Sequence, residues 1–198
     1  MVVEHKKLRG KERKMGDVMI QLAKAAIAVA LGLSSHFDLD KALQNYPELK
    51  KEGAAFVTLT EGPADQLRGC IGSLSAYQPL YRDIIANAQS AALRDPRFHP
   101  LTRDELDKIK IEVSVLTEPE RVPYKDVDDL KRKIRPGIDG VVLELDGYRS
   151  TYLPSVWEQL PDFDSFFGTL CQKAGLSGNC LDRHPDIKTY QAVKYKES

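Results

Sequence analysis

The residues with the most evident chemistry in this 198-residue chain are a thiol and the two glycines around it. In Leu67-Arg68-Gly69-Cys70-Ile71-Gly72-Ser73 the setting is strand-like. Glycine weakens a strand interior unless a bulge or a closely approaching group needs the space. Gly69 and Gly72 therefore imply irregular backbone or a hollow beside Cys70. A thiol there is a candidate nucleophile, because the thiolate is the reactive form and Arg68 or a helix end would favour it. Leu67, Arg68, Gly69, Ile71 and Gly72 become candidate binding residues, with Arg68 suited to a carboxylate or phosphate. The same residues also suit a small buried hydrophobe flanked by packing glycines.

A second cluster is Arg94-Asp95-Pro96-Arg97-Phe98-His99-Pro100, a loop stiffened by two prolines. Asp95 is placed to cap or to pair with Arg97, and His99 is a candidate base for Cys70. A rigid turn with solvated charges is the plainer reading. A third cluster surrounds the only tryptophan, Trp157, with Glu158 and Gln159 beside it. It suits a pocket wall, although a lone tryptophan is more often a core residue. There is no P-loop, no GxGxxG after a strand, no HExxH and no CxxC pair. His5, His36, His99 and His184 lack zinc-ligand spacing. The sequence calls for no cofactor and no metal.

The elements that must position these residues follow from periodicity and punctuation. Helical spacing of Leu22, Ala23, Ala26, Ile27 and Ala30 predicts a helix from about Asp17 to Leu33. Residues 54–60 and 67–74 read as strands paired antiparallel through a polar loop. Pro79 opens a helix to about Arg94, where Asp95-Pro96 ends it. Thr102 and Glu105 form a capping box before a short helix. Ile109, Ile111, Val113 and Val115 alternate with polar residues, the mark of a strand with one face on the core. A proline-containing connector covers 118–125, and a short helix 127–133. A hairpin covers 140–145 and 148–153, turned by Asp146-Gly147. One or two helical turns follow over 154–160, then a helix over 164–174, and a last strand over 188–194. Mixed elements without strict β-α-β alternation favour α+β over a doubly wound sheet.

Lys plus Arg equals Asp plus Glu, 29 each, so no strong basic field points to nucleic acid. The one basic run is Lys6, Lys7, Arg9, Lys11, Arg13 and Lys14, read as part of a flexible tail over residues 1–16. Three cysteines at irregular spacing make a poor disulfide framework, which favours a reducing, cytoplasmic setting. The most apolar stretch, Met19 to Leu33, is too short and too polar for a membrane span.

Several segments together resemble the AMMECR-one-like domain family. They are LRGCIGSL at Leu67–Leu74, DPRFHPLT at Asp95–Thr102, IEVSVLTEP at Ile111–Pro119, RPGIDGVVL at Arg135–Leu143, TYLPSVWEQLPD at Thr151–Asp162 and LCQKAGL at Leu170–Leu176. The resemblance runs from about Val18 to Tyr195. It implies an α+β fold with a mainly antiparallel sheet, flanking helices, and a larger and a smaller lobe with a groove between them over residues 17–196. It makes Leu67–Gly72 the hallmark site. It also implies association with a Memo-like protein and a radical-SAM protein. His99 departs from the family pattern, which has proline there, and Gly178–Pro185, with Cys180 and His184, matches none of its motifs.

Two functions fit these observations. One is a ligand- or protein-binding module acting through Leu67–Gly72, with Arg97, Trp157 and Glu158 contributing. The other is an enzyme using Cys70 as a thiolate nucleophile, with glycine amides stabilising developing charge.

Overall fold

The structure, a computed structural model, describes the backbone of residues 2–197 and the side chains of residue 10 and residues 13–197. In chain order the elements are α1 (Val2–Ala30), α2 (Leu39–Asn45), β1 (Ala55–Glu61), β2 (Gln66–Gly72), α3 (Leu80–Leu93), β3 (Ile109–Leu116), β4 (Glu120–Arg121), α4 (Val127–Lys133), β5 (Gly140–Leu145), β6 (Tyr148–Tyr152), α5 (Phe163–Lys173), β7 (Asp186–Tyr190) and β8 (Ala192–Lys196), with short 3₁₀ turns between. The class is α+β. Two four-stranded sheets form, ordered β2-β1-β3-β8 and β4-β7-β5-β6. The chain divides into two compact units, one running to Val115 and resuming at Val193, the other Leu116–Ala192.

In the first unit α1 and α3 cover one face of the sheet. Met19, Leu22, Ala23 and Ile27 of α1 and Ile84, Ala88, Ala91 and Ala92 of α3 are buried with Val57, Leu59, Ile111 and Val113 of the strands. Helical spacing on the helices and period-two alternation on β1 and β3 supply the two apolar faces. α1 begins well before Asp17, so residues 2–16, expected as a tail, continue the helix. The side chains of Lys6, Lys7, Arg9 and Lys11 lie outside the described residues, whereas Arg13 and Lys14 are exposed. Among the described residues no helix is long and apolar enough to cross a membrane.

A buried polar knot ties α3 to the sheet. Asp83 is fully buried. Its carboxyl accepts from the Ala55 amide (2.9 Å), Ser73 Oγ (2.6 Å), Gln78 Nε2 (3.0 Å) and Asn87 Nδ2 (3.0 Å). Asn87 also donates to the Ala55 carbonyl at 3.1 Å. The start of β1 and the exit of β2 are thereby fixed to one turn of helix.

The second unit has its own core of Phe163, Phe166, Phe167 and Leu170 from α5 against Val141, Leu143 and Ile187. Trp157 belongs to it, stacked on Phe166 at 3.7 Å and donating its indole N–H to the Asp139 carbonyl at 2.8 Å. The hairpin turn forms as expected, with positive φ at Asp146 and Gly147. Cys171 and Cys180 are joined as a disulfide, which corrects the reading of the three cysteines as a poor disulfide framework. Their spacing in sequence gave no framework pattern, but the chain leaving α5 folds back within nine residues to bring Cys180 onto the helix. The final segment holds two strands, not one: β7 joins the second sheet and β8 the first.

Replacing Asp83 with alanine removes the acceptor of four donors and leaves the buried Ala55 amide unpaired, a change worth about 3–5 kcal/mol. Thermal or urea unfolding of Asp83→Ala is expected to show that loss, far above the cost of alanine at the exposed Arg82 of α3.

Candidate functional site

Strand β2 lies at the edge of the first sheet and pairs antiparallel with β1. The register runs Thr58↔Cys70 and Leu59↔Gly69, then Thr60↔Leu67, leaving Arg68 as the extra residue of a bulge. A bulge re-aims side chains. Here it puts Leu67 and Cys70, three apart, on one face, where regular alternation would oppose them. That face is the one turned away from α1 and α3. It carries Cys70 and Gly72 of β2, Phe56, Thr58 and Thr60 of β1, and their β3 partners Ser114, Glu112 and Lys110. Cys70 is half-buried and is the one free cysteine among the described residues. Thr58 Oγ1 donates to its sulfur at 3.3 Å.

The free edge of β2 at Cys70 is closed by side chains, not by another strand. The Cys70 amide donates to Asp95 Oδ2 at 2.9 Å, and its carbonyl accepts from Arg97 Nη2 at 3.2 Å. Both groups point outward because Thr58↔Cys70 is a pair that exchanges no ladder bonds, the closer of the two antiparallel pair types. Arg97 grips Asp95 twice more, Nε to Oδ1 at 3.0 Å and Nη2 to Oδ2 at 2.7 Å. The Asp95 side chain is 2% exposed and the Arg97 side chain 54%. Arg97 holds the Asp95 carboxyl far below the usual range, against the opposing effect of burial, with the Cys70 and Arg97 amides assisting. Arg97 is pushed above its ordinary value, chiefly by Asp95. Asp95 can serve as this clamp because Pro96 ends α3 and the loop turns straight back to β2.

Arg68 meets an internal partner. Its guanidinium contacts Glu105 Oε1 at 3.1 Å through both Nε and Nη2, and Arg68 is buried. Glu105 also closes the expected capping box, accepting from the Thr102 amide at 2.7 Å and hydroxyl at 2.8 Å. The Thr102 amide, then Arg68, bring its carboxyl down to about 2. Arg68 thus anchors the Thr102–Glu105 turn against the bulge, and its Nη1 is buried without a hydrogen-bond partner.

The glycines make room for protein. A Cβ on Gly69 would lie 2.2 Å from the Ala91 carbonyl oxygen of α3, and one on Gly72 would lie 2.2 Å from the Phe56 ring. The hollow expected beside Cys70 is therefore filled at both glycines, by helix backbone beneath and an aromatic ring above. Cys70 itself is not sealed in. Of the other candidates, Arg97 joins Cys70 as described. His99 is exposed and makes no hydrogen bond among the described residues, so the group reaching Cys70 from this loop is Asp95. Trp157 is 3% exposed in the second unit's core, which corrects its reading as a pocket wall, and Glu158 is exposed beside it. Sequence reasoning missed Thr58, Glu112 and Ser114. The alternation of β1 and β3 already put them on the polar face, but only the bulged register puts Cys70 there too.

A model of the AMMECR1 family matches residues 20–195. Among curated proteins, Protein LS215_2104 of Saccharolobus islandicus is 40% identical over 193 residues, covering 93% of this chain and 82% of its own length. Protein SSO0193 of Saccharolobus solfataricus is 38% identical over 190 residues with the same coverage. The crystal structure of Uncharacterized Protein PH0010 from Pyrococcus horikoshii superposes with a TM-score of 0.72 at 34% identity, covering 93% of this chain and 92% of that one.

Gly69→Ala drives a methyl into a fixed carbonyl and is expected to destabilise by about 2–3 kcal/mol in denaturant unfolding. Gly72→Ala meets a side chain instead, so pairing it with Phe56→Leu should restore most of its loss. Asp95 and Glu105 ionise more readily in the fold than in the unfolded chain, where their values are near 3.8 and 4.5. The stability they add is complete above those values and drains as pH falls through the folded ones. Acid unfolding followed between pH 5 and 2 should show less loss in Glu105→Gln than in the wild type.

Proposed function

The chain belongs to the AMMECR1 family, and from that premise we propose that it is a binding module whose recognition surface is the outer face of the first sheet around Cys70. The observation that carries this reading is the clamp on the edge of β2. The Cys70 amide and carbonyl are both held by the Asp95–Arg97 pair while Cys70 itself is half-buried on the outer face. A fixed sulfur, a hydroxyl from Thr58 and a half-exposed guanidinium form a preorganised patch that costs little ordering on binding. The partners proposed are a Memo-like protein and a radical-SAM protein, in the cytoplasm.

An enzyme with Cys70 as nucleophile is the second reading, favoured by the Thr58 hydroxyl on the sulfur. Binding is preferred because nucleophilic catalysis needs a base within reach of the sulfur. Among the described residues no imidazole or carboxylate hydrogen-bonds Cys70 Sγ, and Asp95 is committed to its amide.

The test is alkylation footprinting with iodoacetamide. Cys70 should be modified in the free protein, and a Memo-like protein at saturating concentration should slow that modification at least tenfold. The complex should also weaken in a folded Cys70→Trp variant. Equal modification with and without the Memo-like protein and the radical-SAM protein contradicts the reading.

A further inference from the structure

The segment Gly178–Pro185, with Cys180 and His184, matches no motif of the family and plays no part at Cys70. It lies wholly within the second unit, between α5 and β7. From Ser177 to His184 its hydrogen bonds are nearly all local. The Cys180 amide donates to the Ser177 carbonyl, the Asp182 amide to that of Asn179 and the His184 amide to that of Leu181. Ser177 Oγ donates to Asn179 Oδ1, and Asn179 Nδ2 to Asp182 Oδ2. Among the described residues the one hydrogen bond that leaves this stretch runs from Arg183 to Asp146, and both side chains are more than half exposed. An exposed pair of that kind adds little. Leu181 packs partly buried on the core, and Cys180 is bonded to Cys171 of α5. The covalent bond is thus the main tie between the segment and the helix.

The segment also carries one wall of a cavity. His184 sits at φ 55°, in the left-handed region that is uncommon for a residue with a side chain. Its ring stacks on Tyr124 at 4.2 Å, and the Tyr124 hydroxyl donates to the Pro185 carbonyl at 2.7 Å. His184 and Pro185 line a cavity of about 480 Å³ together with Arg121, Pro123 and Tyr124.

We propose that the Cys171–Cys180 disulfide is a redox latch for this wall. A dithiol reductant releases it by thiol–disulfide exchange. One thiolate of the reductant attacks a sulfur of the bond, a mixed disulfide forms, and the second thiol of the reductant resolves it. The reductant leaves as a disulfide, and its two electrons and two protons stay with Cys171 and Cys180 as thiols. The stretch from Ser177 to His184 then detaches from α5, taking His184 off Tyr124 and opening the cavity. Both sulfurs are buried, 0% and 1% exposed, so exchange follows a transient opening of the segment. The release is local, because Phe166, Phe167 and Leu170 of α5 remain packed on Val141, Leu143 and Ile187 without the bond.

Trypsin reads the latch at the Arg183–His184 bond, with cleavage after the exposed Lys108 of the first unit as the internal reference. Breaking a cross-link that closes so short a loop raises the open population by up to roughly a hundredfold. After reduction with dithiothreitol under native conditions, cleavage at Arg183 should accelerate at least about tenfold, with Lys108 and the circular dichroism unchanged. Cys180→Ser should show the fast rate without reductant. Iodoacetamide added after reduction shows by mass that both cysteines were freed. An Arg183 rate that stays the same once both are alkylated overturns the latch, leaving a plain staple. Acceleration at Arg183 and Lys108 together overturns it as well, since the bond would then hold the whole fold. So does a disulfide that dithiothreitol leaves intact in the native protein.

Discussion

One buried carboxylate organises the edge of the first sheet. An edge strand presents unpaired amides and carbonyls, which invite another strand or must be covered. At Cys70 the cover is Asp95 with Arg97, which together offer an acceptor and a donor where a neighbouring strand would. The carboxylate is dry and the guanidinium largely wet, so the pair keeps its charge-assisted bonds while Arg97 still faces outward. Everything proposed for the face around Cys70 depends on this closure. It fixes the strand, and so the direction of the sulfur.

The two glycines and the bulge serve the same end by different physics. Gly69 lets the sheet approach the Ala91 carbonyl of α3, and Gly72 lets Phe56 lie flat on the strand. The bulge at Arg68 sends that guanidinium sideways to Glu105, where it steadies the turn that follows the clamp loop. Three features that look like ligand chemistry in the sequence thus prove to be the frame of the site. The chemistry left on the outer face is smaller: a half-buried cysteine, the Thr58 and Thr60 hydroxyls, an exposed arginine, and the side chains of Lys110 and Glu112.

Much of the fold was legible because local rules agreed. Alternation marked β3, Pro79 and Asp95-Pro96 bounded α3, Asp146-Gly147 turned the hairpin, and Thr102 with Glu105 capped as their spacing required. The split of the last segment between two sheets was not legible, because both strands are short and sheet membership is a tertiary choice. The Cys171–Cys180 disulfide was missed because proximity came from the chain turning back after α5, which no spacing rule encodes. At the site, the types of residue at 67–72 and 95–97 were informative, but their roles were not. The sequence cannot show that Arg68 already has a carboxylate, that Gly69 faces a helix, or that the bulge brings Cys70 into line with Thr58 and Glu112.

The account stands most directly on the hydrogen bond from the Cys70 amide to Asp95. Amide hydrogen exchange reads that bond without knowledge of any ligand. In the wild type the Cys70 amide should exchange as slowly as amides bonded within the β1–β2 ladder, and Asp95→Asn should speed it by roughly a hundredfold, the worth of a charge-assisted bond. A Cys70 amide that exchanges in the wild type at the rate of an exposed loop would contradict the account, because the edge would then be open and the sulfur unfixed.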